Sequence, residues 1–267
     1  MSVGEYDVPR GVGRVAIMTI AYNEEDFIGA VVRNWKGKVH KHCVFLSSKP
    51  WHGQELPKDK TEEIAKSHGA EVVSMHWPSE TAQRNYALGY LRDYDYVLIV
   101  DADELYTEAD TFKILDTLGT TGGEWRVDNI NCYRIGTMKS YFKTTDYILD
   151  PPDTHKPNVA IDPKKTTFRD CRIPSQDLEI LVPDVVMHHV SYLRNDLRLY
   201  HKMKQFEHYN QVSNEWFNEV WKKWHPDSEN VRAYGREISK AVQDPMPEEI
   251  KKLLFEGYYD LEQARLH

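Results

Sequence analysis

The chain has 267 residues, with 42 acidic and 34 basic side chains and a formal net charge of -8. Mean hydropathy is -0.64, and no apolar run reaches the ~18 to 20 residues a bilayer-spanning helix needs. These values exclude wholesale disorder and a membrane span, disfavour a strongly basic nucleic-acid binder, and suit one large domain with a substantial core. Met1 to Val12 lacks the apolar stretch of a signal peptide. Cys43, Cys132 and Cys171 lack CxxC spacing, which suits a reducing compartment and offers no zinc framework. The expected location is the cytoplasm.

Arg14 to Ala21 is a short β-branched apolar run and predicts a buried strand. Asn23 is placed to cap the following helix, with Glu24, Glu25 and Asp26 in its first turn. Ile28, Val31, Val32 and Trp35 form its apolar face. His42 to Ser48 predicts a second strand. Asp59 and Glu62 have capping-box spacing ahead of a short helix ending at Gly69. Glu71 to Trp77 predicts a third strand, and Ser79 caps a helix carrying Ala87, Leu88 and Leu91. Tyr96 to Val100 predicts a fourth strand that runs directly into Asp101-Ala102-Asp103-Glu104. This alternation predicts a parallel sheet covered by helices on both faces.

Beyond Gly122-Gly123 the pattern changes. Trp125 to Ile135, Ser140 to Leu149 and part of Leu178 to Leu193 read as strands, and Asp150 to Pro174 reads as a Pro- and charge-rich surface loop. From Asn195 onward helices are expected. Leu199, Met203 and Phe206 share one face, as do Phe217, Val220, Trp221 and Trp224. Pro247 opens a last helix carrying Ile250, Leu253, Leu254 and Leu261. These stripes read as core packing.

Asp101-Ala102-Asp103 carries the most chemistry. Strand alternation puts the two carboxylates on one side while Ala102 turns away. In an open parallel sheet, ligands bind beyond the C-terminal strand ends. Two hard oxygen ligands there suit Mg²⁺ or Mn²⁺, which in turn binds phosphate oxygens. An acidic turn with no ligand is the plain alternative.

With Ala21-Tyr22-Asn23-Glu24, Ser47-Ser48-Lys49-Pro50-Trp51 and Gln83-Arg84-Asn85, this DxD completes four segments in order across Arg14 to Tyr106. Together they resemble the family 2 nucleotide-sugar glycosyltransferases with the GT-A fold. The resemblance implies an α/β class with a mixed, mainly parallel sheet flanked by helices over residues 12–193. A C-terminal helical extension over 194–267 would follow.

The activity implied is metal-dependent transfer of a sugar from a nucleotide-sugar, first among them a UDP-sugar, to a hydroxyl acceptor, with inversion. Ala21, Tyr22, Glu24 and Ser47 would lie at the nucleotide, although Glu24 can instead serve its helix N-terminus. Arg84 would neutralise the diphosphate. Asp101 would meet the ribose or a metal-bound water, and Asp103 would ligate Mn²⁺ or Mg²⁺. Many family members carry an acidic residue where this chain has Ser47 and Ser48, which leaves the donor base open.

Met187-His188-His189-Val190-Ser191-Tyr192 lies where such enzymes often supply a metal-binding histidine. Adjacent strand residues face opposite sides, so one of His188 and His189 is the candidate, with His189 preferred. Inverting transfer needs a carboxylate base; Asp177 is the candidate, with Asp170 and Glu179 as alternatives. Arg194, Arg198, Lys202 and Lys204, with His201 and His208, lie along one predicted helix. They form either a solvated face or a basic wall toward the donor diphosphate or a phosphate-bearing acceptor. That acceptor class includes saccharides and, through Lys164-Lys165 and Lys222-Lys223, hydroxymethylated DNA bases of the phage type. The other function classes are a nucleotidyltransferase, which the acidic loop after the first strand argues against, and a non-catalytic nucleotide-sugar binding module.

Overall fold

The computed structural model describes residues 13–121, 132–151, 157–175, 179–213, 215–233 and 239–256. The first half contains β1 (Val15–Ala21), α1 (Ile28–Trp35), β2 (Lys41–Ser47), α2 (Thr61–Ser67), β3 (Glu71–Met75), α3 (Glu80–Tyr90) and β4 (Tyr96–Ile99). Then come β5 (Glu104–Leu105), α4 (Glu108–Thr121), β6 (Cys132–Phe142), β7 (Tyr147–Asp150), β8 (Asn158–Ile161), β9 (Phe168–Asp170) and β10 (Ile173–Pro174). The chain continues through β11 (Glu179–Tyr192), α5 (Asp196–Gln205), β12 (Lys240–Gln243) and α6 (Glu248–Phe255).

β1 is buried along its whole length because both faces of the sheet are covered. Val15 and Ile17 join Trp35, Leu98, Ile114, Ile250 and Leu254 on one side. Ala16, Met18 and Ile20 join Phe45, Leu88 and Leu91 on the other. Burying a Val, Leu or Ile side chain contributes roughly 1.5–3 kcal/mol, so this double-sided strand anchors the domain. It pairs in parallel with β2 and β4, and β2 pairs in parallel with β3. The expected mixed sheet flanked by helices is therefore present, parallel through β3-β2-β1-β4. Successive crossovers run away from β1 in one direction and return to it at β4. The crevice beyond the C-terminal ends of β1 and β4 is the switch point of the sheet.

The segment after residue 150 corrects the expectation of a surface loop. Asn158-Val159-Ala160-Ile161 forms β8, buried between β4 and β6 and antiparallel to both. Four apolar-leaning residues among prolines and lysines are too few to reveal a periodicity, so only pairing identifies this strand. The C-terminal region is likewise not purely helical: β12 adds to β7 at the sheet edge. The predicted helix around Phe217 is a single π-helical turn, Phe217–Trp221. Leu199, Met203 and Trp221 nonetheless pack with Phe142, Leu149 and Tyr192, and Ile250 and Leu254 enter the main core. Leu261 lies outside the described residues. Among the described residues, no helix is long and apolar enough to cross a membrane.

Two core histidines make the fold acid-sensitive. His42 on β2 sits beside the Thr19 hydroxyl at 2.9 Å, and burial pushes its pKa down to about 3. Burial likewise lowers His188 to about 4. The folded state keeps both neutral, whereas the unfolded chain takes up protons below about pH 6.5. Stability therefore falls as pH drops, by about 1–2 kcal/mol per histidine between pH 6.5 and 5. Urea denaturation across this range checks the slope; a flat profile would contradict it.

Candidate active site

The turn after β1 is set by Asn23, whose φ of 50° places it in the left-handed region that asparagine tolerates. Its side-chain amide donates to the Pro57 carbonyl at 3.1 Å, tying the turn to the loop after β2. Helix α1 begins only at Ile28, so Asn23 does not cap it, and Glu24, Glu25 and Asp26 precede its first turn. These three carboxylates face α5 instead.

The loop after β2 forms a wall of the cleft through Pro50, Trp51 and Leu56. The Trp51 indole donates to Gln83 Oε1 at 3.0 Å, and the Gln83 amide donates to the Phe45 carbonyl at 2.6 Å. Tyr22 extends from β1 into the same wall, and its hydroxyl accepts from the Leu56 amide at 3.0 Å. Burial raises the Tyr22 phenol above its usual pKa. Ser47 is engaged in its own turn. Its hydroxyl donates to the Lys49 carbonyl at 2.6 Å and it does not line the cleft, so it shapes the turn rather than offering a ligand. Gly53 has φ of +71°, and a Cβ there would meet the Lys204 carbonyl at 2.7 Å. Only glycine lets the loop pass so close under α5.

Ser79 caps α3 through the Ala82 amide, and one turn later Arg84 points into the cleft. At 2% exposure Arg84 is no surface arginine. Its Nε donates to Glu80 Oε1 and its Nη2 to Asp101 Oδ2, each at 2.8 Å. Its Nη1 is buried without a hydrogen-bond partner among the described residues, as is Asp101 Oδ1. Buried charged groups rarely stay unsatisfied, so these two atoms mark where a polar ligand would sit. Asn85 serves the scaffold, exchanging two hydrogen bonds with the Phe168 backbone.

Arg172 from the β9–β10 turn also reaches this place, a contribution hidden in the stretch read as a loop. It donates to the carbonyls of Ile99 and Asn158 at 2.7 Å and pairs with Glu104 and, at 3.5 Å, with Asp101. Burial is costly for Asp101, yet Arg84 and Arg172 together hold its carboxyl below the usual range. Glu104 behaves oppositely: burial, helped by Asp101, pushes it up to about 7 against the pull of Arg172. Its side chain also accepts from the Asp101 amide at 3.0 Å.

Asp103 meets β11 because β5 pairs with it, setting His189 opposite Glu104 and His188 opposite Leu105. His189 Nε2 stands 3.8 Å from Asp103 Oδ1, and its Nδ1 lies 3.2 Å from the Ser140 hydroxyl. His188 faces the other way. Its ring stacks on Tyr141, with Nδ1 2.9 Å from that hydroxyl, and it does not line the cleft. Adjacent strand residues face opposite ways, and here the pairing decides which way. Accordingly His189→Ala should weaken Mn²⁺ binding in the presence of a nucleoside diphosphate, measured by calorimetry. His188→Phe should leave it unchanged; the reverse pattern would exclude His189.

The far wall is α5, capped by Asn195 through the Arg198 amide. Arg194, just before it, pairs with Glu24, Asp26 and Asp103, with its guanidinium 4.6 Å above the Phe27 ring. Arg198 binds Asp26 at 3.0 Å and Asp59 at 2.9 Å. Lys202 Nζ lies 2.5 Å from Asp103 Oδ2 and 3.3 Å from Glu24 Oε1. Thus Arg194, Arg198, His201 and Lys202 line the cleft, whereas Lys204 and His208 do not. Burial alone would raise the Asp103 carboxyl, but Lys202, His189 and Arg194 hold it far below the usual range. Lys164 and Lys223 lie elsewhere, paired with Asp95 and Glu219.

The donor set fits a hard divalent cation: carboxylate oxygens of Asp103 and Asp101 with one imidazole from His189. Among the described residues, no three His, Cys, Asp or Glu side chains converge tightly enough to cage an ion. Asp103, Asp101 and His189 would supply at most a partial shell, which substrate oxygens would have to complete. Of the candidate bases, Asp177 lies outside the described residues, as does the side chain of Glu179, and Asp170 is exposed on β9.

No protein-family model matches the sequence, and no curated protein matches it. Solved structures similar to it include glucosyl-3-phosphoglycerate synthase from Mycobacterium tuberculosis, in complex with Mn²⁺, uridine diphosphate and glucosyl-3-phosphoglycerate. That match is 22% identical, covers 49% of this chain and 44% of that one, and has a TM-score of 0.35. Mannosyl-3-phosphoglycerate synthase from Rubrobacter xylanophilus is 18% identical over 47% of this chain and 40% of its own, with a TM-score of 0.37. A mannosyltransferase from Pyrobaculum calidifontis, in complex with GDP-Man and Mn²⁺, is 16% identical. It covers 78% of this chain and 68% of that one, with a TM-score of 0.47. The chain matches less than half the length of the first two enzymes.

Proposed function

We propose that this chain is a GT-A-type glycosyltransferase that uses Mn²⁺ or Mg²⁺ to move a sugar from a nucleotide-sugar to a hydroxyl acceptor. One observation carries the reading: Asp101 and Asp103 stand at the switch point of the sheet, in a cleft also lined by Arg84, Arg194 and Lys202. Paired carboxylates among buried cations match a ligand that brings both metal and phosphate.

Sugar transfer builds negative charge on the departing diphosphate, and the divalent cation, when bound, stabilises that charge. Asp103 and His189 would hold the cation. Arg84 directs its unpartnered Nη1 at the phosphates; its charge is permanent and its forked donors are held rigid by Glu80 and Asp101. Such preorganised donors cost no reorganisation during reaction. Ala21, Tyr22, Pro50 and Trp51 would flank the nucleoside, and Asp101 Oδ1 would meet its ribose or the metal and its water. Glu24 acts indirectly, by positioning Arg194 and Lys202. Asp177 takes the acceptor proton in an inverting transfer to a saccharide or a hydroxymethylated base.

The test is thermal-shift and hydrolysis assays with UDP- and GDP-sugars, with Mn²⁺ or with EDTA. Metal-dependent stabilisation and slow sugar release support the reading. Absence of both would falsify it, and pyrophosphate released from a nucleoside triphosphate and a sugar phosphate in a parallel assay would mark a nucleotidyltransferase.

A further inference from the structure

Asp103 is buried and already neutralised twice, but its two cations are not equivalent. Arg194 is fixed: its side chain is 2% exposed, shares Glu24 and Asp26, and lies over Phe27. Lys202 is held more loosely. Its side chain is 22% exposed, and among the described residues its ammonium pairs with Asp103 Oδ2 and Glu24 Oε1 alone. It reaches them on an unbranched, rotatable stem. At 2.5 Å, the ammonium sits on the carboxylate that a divalent cation would use. With Arg194 already beside Asp103, a divalent cation entering at the oxygen that Lys202 contacts would be repelled by that ammonium, so the two compete for one place. The partial shell of Asp103, Asp101 and His189 is poorly equipped to win that contest unaided.

We infer that Lys202 is the resident counter-cation of Asp103: it holds the carboxylate against a lone divalent cation and releases it when a nucleoside diphosphate offers its ammonium new oxygens. Ion and donor therefore load together rather than ion first. This deepens the proposed function and rests on it for the identity of the donor, though not for the competition at Asp103. Lys202 acts as a positioning residue, and its effect is legible without any turnover.

The test measures Mn²⁺ binding to the full chain without nucleotide, from the free-ion EPR signal and by calorimetry. Lys202→Met keeps the stem and removes the charge. It should bind Mn²⁺ about tenfold tighter than wild type, the scale expected when a unit charge beside the ion is removed. Lys202→Arg and Lys204→Met should match wild type, the first keeping the charge and the second lying outside the cleft. Adding UDP or GDP should raise Mn²⁺ affinity more in wild type than in Lys202→Met. Lys202→Gln provides a second neutral variant if Lys202→Met does not fold. Wild-type Mn²⁺ affinity in a folded neutral variant would overturn the inference. If no nucleotide binds but the neutral variant still gains Mn²⁺ affinity, the donor reading fails and the competition at Asp103 stands.

Discussion

Asp103→Asn should reduce metal-dependent release of sugar from the donor by about three orders of magnitude, or ~4 kcal/mol of barrier. The substitution keeps the size and shape of the side chain while removing the charge that both Lys202 and His189 face. The fold should survive, because Arg194 keeps Glu24 and Asp26, and Lys202 keeps Glu24. Far-UV circular dichroism and urea denaturation establish that point separately. Initial rates at saturating Mn²⁺ give the effect on turnover. A folded Asp103→Asn protein with wild-type rate would remove Asp103 from the metal site and leave the acidic turn as scaffold.

Arg172→Met should lower the free energy of unfolding by about 3–5 kcal/mol, the usual cost of deleting one member of a buried ion pair. Its guanidinium joins the carbonyls of Ile99 and Asn158 to the carboxylates of Glu104 and Asp101, tying β4, β8 and the acidic turn together. Without it, two carbonyls lose their donor and Glu104 stays buried with no counter-charge. Glu104 already titrates near 7 because of burial, and loss of Arg172 raises it further. An acid whose folded pKa is raised destabilises the fold as pH climbs past its unfolded value. The defect should therefore be larger at pH 8 than at pH 6 in urea titrations. Adding Glu104→Gln should restore part of the loss, since the pair is coupled. A pH-independent loss under about 1 kcal/mol would show that solvent reaches the pair and compensates it.

The first hundred residues were readable because their signals are local. Strand β1 is continuously apolar, the Ile28, Val31, Val32 and Trp35 face repeats with helical period, and Ser79 caps α3 as its position suggests. The departures there are small: α1 starts after Phe27 because Asn23 turns left-handed to meet the loop after β2. Strand β8 was not readable, since four residues carry no period and their burial depends on β4 and β6. Arg172 went unnoticed for the same reason: nothing local separates an arginine in a solvated loop from one driven into the core by two distant carbonyls. The His188-His189 pair named the region and strand alternation favoured His189, the ring that the pairing of β5 with β11 sets beside Asp103.

Short-range periodicity was enough for the parallel block and the acidic turn beyond its fourth strand, whereas Arg84 on α3 was singled out only by the resemblance of its segment, and its burial came from the fold. Strand alternation only favoured His189 over His188; that it faces Asp103 depends on β5 and β11 pairing across a long gap in sequence. Tertiary structure also decided what the excess of acidic side chains means at this site. Glu24, Asp26 and Asp103 are brought against Arg194, Arg198 and Lys202 from some 170 to 100 residues away. A net charge counts these groups, but their effect depends on separation and on exclusion of water, which only the folded chain sets.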